Sequence, residues 1–243
     1  MRQSDGSDPI QITDRHSLDL LYEKQKTSTQ KVAGLLKETL LHRFLLPSRE
    51  SWDSPGQPFR LQVLLYPQFL GGFDAPVFTD PEWDQFVRTQ CLLGGGNFRW
   101  TGNGLAIVDP TGDTWRGTQW WMAPSYTLLT QDGFFETSVQ SDREPIHPNI
   151  VTGTITGLLP KASNFYSKVK YEGEVMLEAH FLDTYGRRFM SGRFDADTTL
   201  ACDRGHFVIR LDMNAGELNS LAQDQDFITG ISSELFRHAG GQR

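Results

Sequence analysis

The chain has 243 residues, of which 38% are hydrophobic and 12% aromatic, and it carries a formal net charge of −7. This length suits one large domain or two small ones. Nucleic acid and anionic membrane surfaces are poor partners for the chain, because both select clustered Lys and Arg. No apolar run reaches the roughly 20 residues of a membrane-spanning helix, and the polar N-terminus lacks a secretory signal, so we expect a cytoplasmic protein.

The first part of the chain divides into two predicted segments. Residues 1–11 are polar and are predicted to form a disordered arm, and residues 12–96 a helical and irregular N-terminal extension. Within the extension, apolar residues at spacings of three and four predict a helix over 14–44. The segment FRLQVLLY, residues 59–66, predicts a first strand.

The strongest helix signal in the chain begins at Asp80. Asp80 is a good N-cap, Pro81 suits the first helical position, and Glu82 favours the positive end of the helix dipole. The residues that follow form an apolar stripe of Trp83, Phe86, Val87 and Cys91.

Residues 97–214 alternate in a manner typical of antiparallel strands. Asp132-Gly133 predicts a hairpin between β-rich flanks, and IVTGTITGLL, residues 150–159, alternates apolar residues and glycine with threonine. Residues 171–181 alternate more clearly, and HFVIRLDMN, residues 206–214, closes the series. No helix is predicted within this region, which excludes parallel βαβ units.

These elements predict a mainly β fold with accessory helices. Residues 97–214 are expected to close into a single antiparallel β-barrel, with a sandwich as the alternative, because long open edges are a liability. Residues 215–243 predict a C-terminal helical segment that packs against it. An antiparallel barrel with helices at its ends is similar to lipocalin-type and allene-oxide-cyclase-type barrels, and such a fold does not fix a function.

The usual signatures of catalysis and cofactor binding are missing from the sequence. It contains no P-loop, no GxGxxG, no GxSxG and no HExxH. Cys91 and Cys202 stand in apolar contexts without a nearby histidine at ligand spacing, which predicts two buried structural thiols. We therefore expect neither a metal nor another cofactor.

The densest aromatic stretch, GDTWRGTQWWMAPSY, suggests a ligand pocket. In a strand, Trp115, Gln119 and Trp121 share one face while Trp120 lies on the other, so both faces need burial. A polar group beside two indoles is typical of a small-molecule site, and core packing is the alternative. The predicted ligand-binding residues are Trp115, Gln119, Trp121, Tyr171 and Arg188.

Two constellations are candidates for acid–base catalysis. His147 lies between two prolines in REPIHPNI, and we predict it as the general acid or base, with Glu136 or Tyr126 as its partner. The rival pair is Glu178 and His180, whose side chains point the same way along a strand. That face also carries Glu172 and Glu174, so we expect it to lie in solvent.

The sequence favours a cofactor-independent cyclase, isomerase or lyase that acts on a small, largely apolar or conjugated metabolite. The alternatives are a non-catalytic carrier or chaperone of a hydrophobic ligand or pigment, and a structural or assembly protein. The apolar stripes of Trp83, Phe86 and Val87 and of Phe227, Ile231 and Leu235 exceed what a small barrel needs. A homo-oligomer is therefore expected.

Overall fold

The computed structural model describes residues 22–23, 25–27, 30–31, 33–34, 59–69, 73–92, 97–101, 104–108, 126–141, 146–190 and 199–239. The predicted arm over 1–11 and the predicted pocket residues Trp115, Gln119 and Trp121 lie outside these residues. The described residues between 22 and 34 are helical, in agreement with the helix predicted over 14–44.

A seven-stranded antiparallel sheet is the main element of the fold. The bounds of the described strands in chain order are Phe59–Pro67 (β1), Asn97–Thr101 (β2), Gly104–Val108 (β3), Tyr126–Thr130 (β4), Phe135–Ser141 (β5), Glu174–Leu182 (β6), Arg188–Met190 (β7), Thr199–Ala201 (β8) and His206–Asn214 (β9). The strands of the main sheet lie in the order β2-β3-β4-β5-β1-β6-β9. The two short strands β7 and β8 form a separate antiparallel pair.

The fold is mainly β, as predicted, but the closed barrel is not confirmed. The sheet ends at β2 on one side and at β9 on the other, and no described strand joins these two edges. The strand predicted over 59–66 becomes β1, which lies between β5 and β6. The sheet therefore draws on both the 12–96 and the 97–214 segments. In the described part of the chain, no helix has the length and apolar character needed to cross a membrane.

In the described part of the chain, helices occur in three places besides the N-terminal one. The first, α1 (Pro81–Phe86), starts as Asp80 and Pro81 predict, with the Asp80 carboxylate accepting from the backbone N–H of Glu82. The C-terminal segment forms a short helix and a longer one, as expected for residues 215–243. The bounds are Pro81–Phe86 (α1) with a π-helical continuation over Val87–Cys91, Pro148–Lys168 (α2), Ala215–Glu217 (a 3₁₀ turn), Leu218–Leu221 (α3) and Gln225–His238 (α4).

The strand predicted over 150–159 is wrong, because these residues form the first half of α2. Apolar residues and glycines occupy every second position from Val151 to Leu159, as in a strand. The apolar residues among them, Val151, Ile155 and Leu159, also lie four residues apart, and residues at that spacing share one face of a helix. The threonines of this segment bond to carbonyls one turn back, as Thr154 Oγ1 does to Ile150 O at 2.7 Å. Local helix signals at His147 and Pro148 decide between the two periods.

The two faces of the sheet carry different kinds of side chain. The core face packs against α2 and is apolar, with Leu61 and Val63 of β1 and Leu177 and Phe181 of β6 fully buried. On α2, Phe165 makes an edge contact with Phe135 of β5, with ring centroids 5.7 Å apart. We call the opposite side the second face. It carries Gln62, Leu64 and Tyr66 of β1, Leu128 of β4, Glu136 of β5, Glu178 and His180 of β6, and Arg210 of β9.

The apolar stripes that suggested an oligomer are used inside the molecule. Val87 of the α1 continuation and Ile231 and Leu235 of α4 are buried in the core. Trp83, Phe86 and Phe227 are partly buried and pack against the same core. These stripes therefore give no support to the expected homo-oligomer.

Candidate active site

The second face of the sheet is buried around Glu178 and His180, which contradicts the exposure to solvent expected for this pair. Glu178 is 6% exposed, His180 5%, Gln62 2% and Glu136 0%. The alternation of β6 was predicted correctly. The exposure of its polar face was inferred from Glu172 and Glu174, and that inference is wrong for Glu178 and His180. Glu172 and Glu174 lie outside or at the start of the strand and are exposed, whereas Glu178 and His180 lie in its interior.

Glu178 and His180 form a direct pair. Nε2 of His180 is 2.9 Å from Oε2 of Glu178. The spacing of two residues on β6 places both side chains on the same face of the sheet. No described residue is hydrogen-bonded to Nδ1 of His180.

The second carboxylate oxygen of Glu178 is held from two other strands. Oε1 accepts from the Tyr66 hydroxyl of β1 at 3.2 Å and from Nε of Arg210 of β9 at 3.0 Å. Arg210 lies directly opposite Glu178 in the β6–β9 register. Three strands thus fix the position of one carboxylate.

Electrostatics keep Glu178 ionised. The hydrogen bond from His180, assisted by the charge of Arg210, lowers the pKa of Glu178 below its ordinary value, although burial acts in the opposite direction. Burial and the nearby Glu178 carboxylate raise the pKa of Tyr66, so its hydroxyl remains a donor. An ionised carboxylate accepts the Nε2–H of its histidine and leaves the lone pair on Nδ1.

A second polar pair adjoins the first on β1 and β5. Nε2 of Gln62 donates to Oε1 of Glu136 at 2.9 Å. Gln62 lies opposite His180 in the β1–β6 register, so the two pairs are neighbours. Oε1 of Gln62 is buried and accepts no hydrogen bond within the described part of the chain.

A further histidine extends the polar surface towards the edge of the sheet. The imidazole of His206 on β9 stacks on that of His180 with ring centroids 5.7 Å apart. Burial, together with the neighbouring His180, lowers the pKa of His206. Among the described residues, no group of three or more His, Cys, Asp or Glu is arranged to hold a metal ion.

His147, the predicted acid or base, has a structural role at the start of α2. Its Nδ1 accepts from the backbone N–H of Asn149 at 3.1 Å, so it is the N-cap of the helix. Burial lowers the pKa of His147, which favours the neutral imidazole that this cap requires. The proposed pairing of His147 with Glu136 stays a prediction, with the Nδ1 acceptor already used by the cap.

The other predicted site residues are dispersed. Tyr171 lies on the core side, where its hydroxyl donates to Glu174 O at 2.7 Å and burial raises its pKa to about 12. Arg188 begins the separate β7–β8 pair. The backbone of Tyr126 opens β4 opposite Ser138, and its side chain lies outside the described set. Among the predicted site residues whose side chains are described, Glu136 is the one that lies on the second face.

Sequence reasoning missed Gln62, Tyr66 and Arg210. A signal was present, because FRLQVLLY and HFVIRLDMN each place polar residues at alternate positions. What the sequence does not show is that β1 lies between β5 and β6 and that β9 follows β6. That order brings the polar positions of four strands together.

An open cleft of about 460 Å³ lies elsewhere, beside α1 and the end of α2. Its lining includes Trp83, Lys168 and Lys170. The Lys168 ammonium is already 2.9 Å from the Glu82 carboxylate and lies 4.9 Å from the centre of the Trp83 ring. The cleft holds no carboxylate–histidine pair, so the chemistry of the described residues favours the second face.

The chain was also compared with known proteins. No family model, curated protein or solved structure matches it. The site therefore has to be interpreted from its own geometry.

Proposed function

We propose that the second face of the sheet is an active site for proton transfer on a small organic molecule, in a reaction of the isomerase or lyase type. The observation that carries the proposal is the 2.9 Å contact between Glu178 and His180, with Glu178 held by Tyr66 and Arg210. A carboxylate that orients an imidazole leaves the other ring nitrogen free to accept a proton. The same nitrogen then returns the proton at another atom of the substrate.

The surroundings of the pair support a small and partly apolar substrate. Leu64 and Leu128 are fully buried on the second face, in the same row as Glu136 and Glu178. Apolar walls with a few convergent polar groups are typical of small-molecule sites. Oε1 of Gln62, which accepts no hydrogen bond from the described residues, suits a hydroxyl or amide N–H donor on the substrate.

Hydrogen exchange tests this function even while the substrate is unidentified. The protein is incubated in D₂O with a defined panel of carbonyl metabolites that carry acidic C–H bonds, and deuterium uptake is followed by mass spectrometry. An enzyme that takes a proton from carbon and returns it labels its substrate. We expect labelling of at least one compound by the wild-type protein, and the absence of labelling across the panel would contradict the proposal.

A non-catalytic carrier is the second candidate, because Leu64 and Leu128 give the second face the apolar wall that a bound ligand needs. In that case Glu178 and His180, which are 6% and 5% exposed, form a polar network that fixes the sheet and turns over no substrate. Native mass spectrometry of the same mixtures separates the two candidates. A compound that stays bound and takes up no deuterium supports the carrier.

A further inference from the structure

Among the described strands, β9 forms an edge of the sheet whose outer side is available for pairing. β9 has nine residues, pairs with β6 along its whole length and ends the sheet, and no described strand pairs with its other side. It contains no proline. Such an edge presents a row of backbone donors and acceptors to another strand. We propose that β9 pairs antiparallel with β9 of a second copy of the chain, about a two-fold axis at Leu211.

The faces of the sheet restrict the register. A two-fold axis perpendicular to the sheet keeps both core faces on the same side, so even-numbered residues pair with even-numbered residues and odd with odd. On the second face, the charged residues near the middle of β9 are Arg210 and Asp212. Their positions distinguish the three central registers, in which the two-fold axis passes through Arg210, Leu211 or Asp212.

Charge selects one of these registers. An axis at Arg210 places two arginines opposite each other, and an axis at Asp212 places two carboxylates opposite each other. An axis at Leu211 instead places Arg210 opposite the partner's Asp212, and by symmetry it does so twice. Opposite charges across a strand pair stabilise it, and like charges destabilise it. The Arg210 side chain is 65% exposed and Asp212 is also exposed, with Oδ1 of Asp212 accepting from Gln68 Nε2 at 2.7 Å within the same copy. Oδ2 of Asp212 and the terminal guanidinium nitrogens of Arg210 are the groups that would meet across the pair.

The core face is compatible with the same register. Ile209 lies opposite the partner's Met213, and Leu211 lies opposite the partner's Leu211. Ile209 and Met213 are buried members of the core, and Leu211 packs against it. Pairing therefore continues the apolar layer of the sheet from one copy into the next.

This interface borders the second face. Arg210 donates to Glu178 at 3.0 Å, so the partner's Asp212 would approach the residue that holds the Glu178 carboxylate. The dimer rests on the edge of β9 and its charges and does not depend on the proposed function. Oligomeric state and deuterium labelling are measured separately. Failure of the dimer proposal can therefore be distinguished from failure of the proposed function.

Charge reversal tests the register in the full-length chain. Light scattering with sedimentation should show a dimer for the wild type at micromolar concentration. Asp212→Arg replaces both attractive pairs with repulsive ones and should weaken the dimer by roughly tenfold or more. Glu217→Arg is the matched control, since it makes the same charge change at an exposed residue outside β9 and should leave the dimer intact. A monomeric wild type, or an Asp212→Arg variant as dimeric as the control, would overturn the proposal.

Engineered cysteines test the axis independently of charge. Leu211→Cys puts a thiol opposite its own copy and should give a disulfide-linked dimer under mild oxidation. In Val208→Cys, the two thiols lie six residues apart along the pair, about 20 Å, and should not cross-link. The natural thiols Cys91 and Cys202 are buried and give no background. Cross-linking at 208 but not at 211 would refute this register, even if Asp212→Arg failed to fold.

Discussion

Glu178 and His180 face each other on a buried strand, with Oε2 of the carboxylate 2.9 Å from Nε2 of the imidazole. Tyr66 and Arg210, from the two flanking strands, hold the other oxygen of Glu178. Such a buried carboxylate is costly to disturb, because its loss leaves the buried donors of Tyr66 and His180 unsatisfied.

Glu178→Gln should destabilise the protein by about 1–3 kcal/mol at neutral pH, because it leaves donors on His180 and Arg210 without a charged acceptor. The pKa of Glu178 is lowered on folding. Its contribution is therefore fully present above the unfolded-state pKa of about 4.3 and is lost as the pH falls through the folded-state value. Urea unfolding of both proteins from neutral pH to below pH ~4 measures the difference.

We expect the free energies of unfolding of the wild type and of Glu178→Gln to converge as the pH falls. A wild-type advantage that persists unchanged at low pH would show that the charge of Glu178 does not contribute. Glu174→Gln is the matched control, since Glu174 is exposed at the start of β6 and should change stability little.

His147→Ala should cost about 0.5–2 kcal/mol through loss of the α2 N-cap, and His147→Asn should restore most of it, since asparagine is a good N-cap. Because burial lowers the pKa of His147, its contribution is full above the unfolded-state pKa of about 6.5 and declines as the pH falls towards the folded-state value. Thermal unfolding across this range should show a pH dependence in the wild type that His147→Asn reduces. An Asn variant no more stable than the Ala variant would argue against capping.

Gly133→Ala should be strongly destabilising, by about 1–3 kcal/mol or more. Gly133 has φ of +77°, and a Cβ there would lie 3.0 Å from the Phe165 ring and 3.1 Å from the Tyr166 ring. The Tyr166 hydroxyl also donates to Gly133 O at 2.7 Å, which fixes the hairpin against α2. Gly186→Ala is the informative control. Gly186 has φ of +73° but open space around it, so the difference between the two variants measures the packing against α2 alone.

Local signals predicted local structure well in this chain. Asp80 and Pro81 fixed the start of α1, and Asp132-Gly133 gave the β4–β5 hairpin, with a loop over 131–134. The strand prediction around Ile155 is wrong for a physical reason. The spacing of the apolar residues fits both the strand period and the helix period, and the N-cap at His147, which favours the helix, is interpreted from the sequence as part of a catalytic loop.

The candidate site was less predictable than the elements that carry it. The alternation of β6 places Glu178 beside His180, but their burial depends on contacts made across the sheet. Gln62 and Glu136 lie 74 residues apart in the chain and meet through the pairing of β1 with β5. Pairing between distant strands leaves no trace in the sequence around either residue.

The deuterium-exchange assay with two histidine variants tests the central claim most directly. Loss of the base should lower the exchange rate of the labelled compound by about 10²–10⁴-fold in His180→Gln. His147→Asn, which preserves the helix cap, should exchange at close to the wild-type rate. A His180→Gln variant that exchanges at the wild-type rate, or a loss confined to His147→Asn, would contradict the assignment of Glu178 and His180 as the acid–base pair.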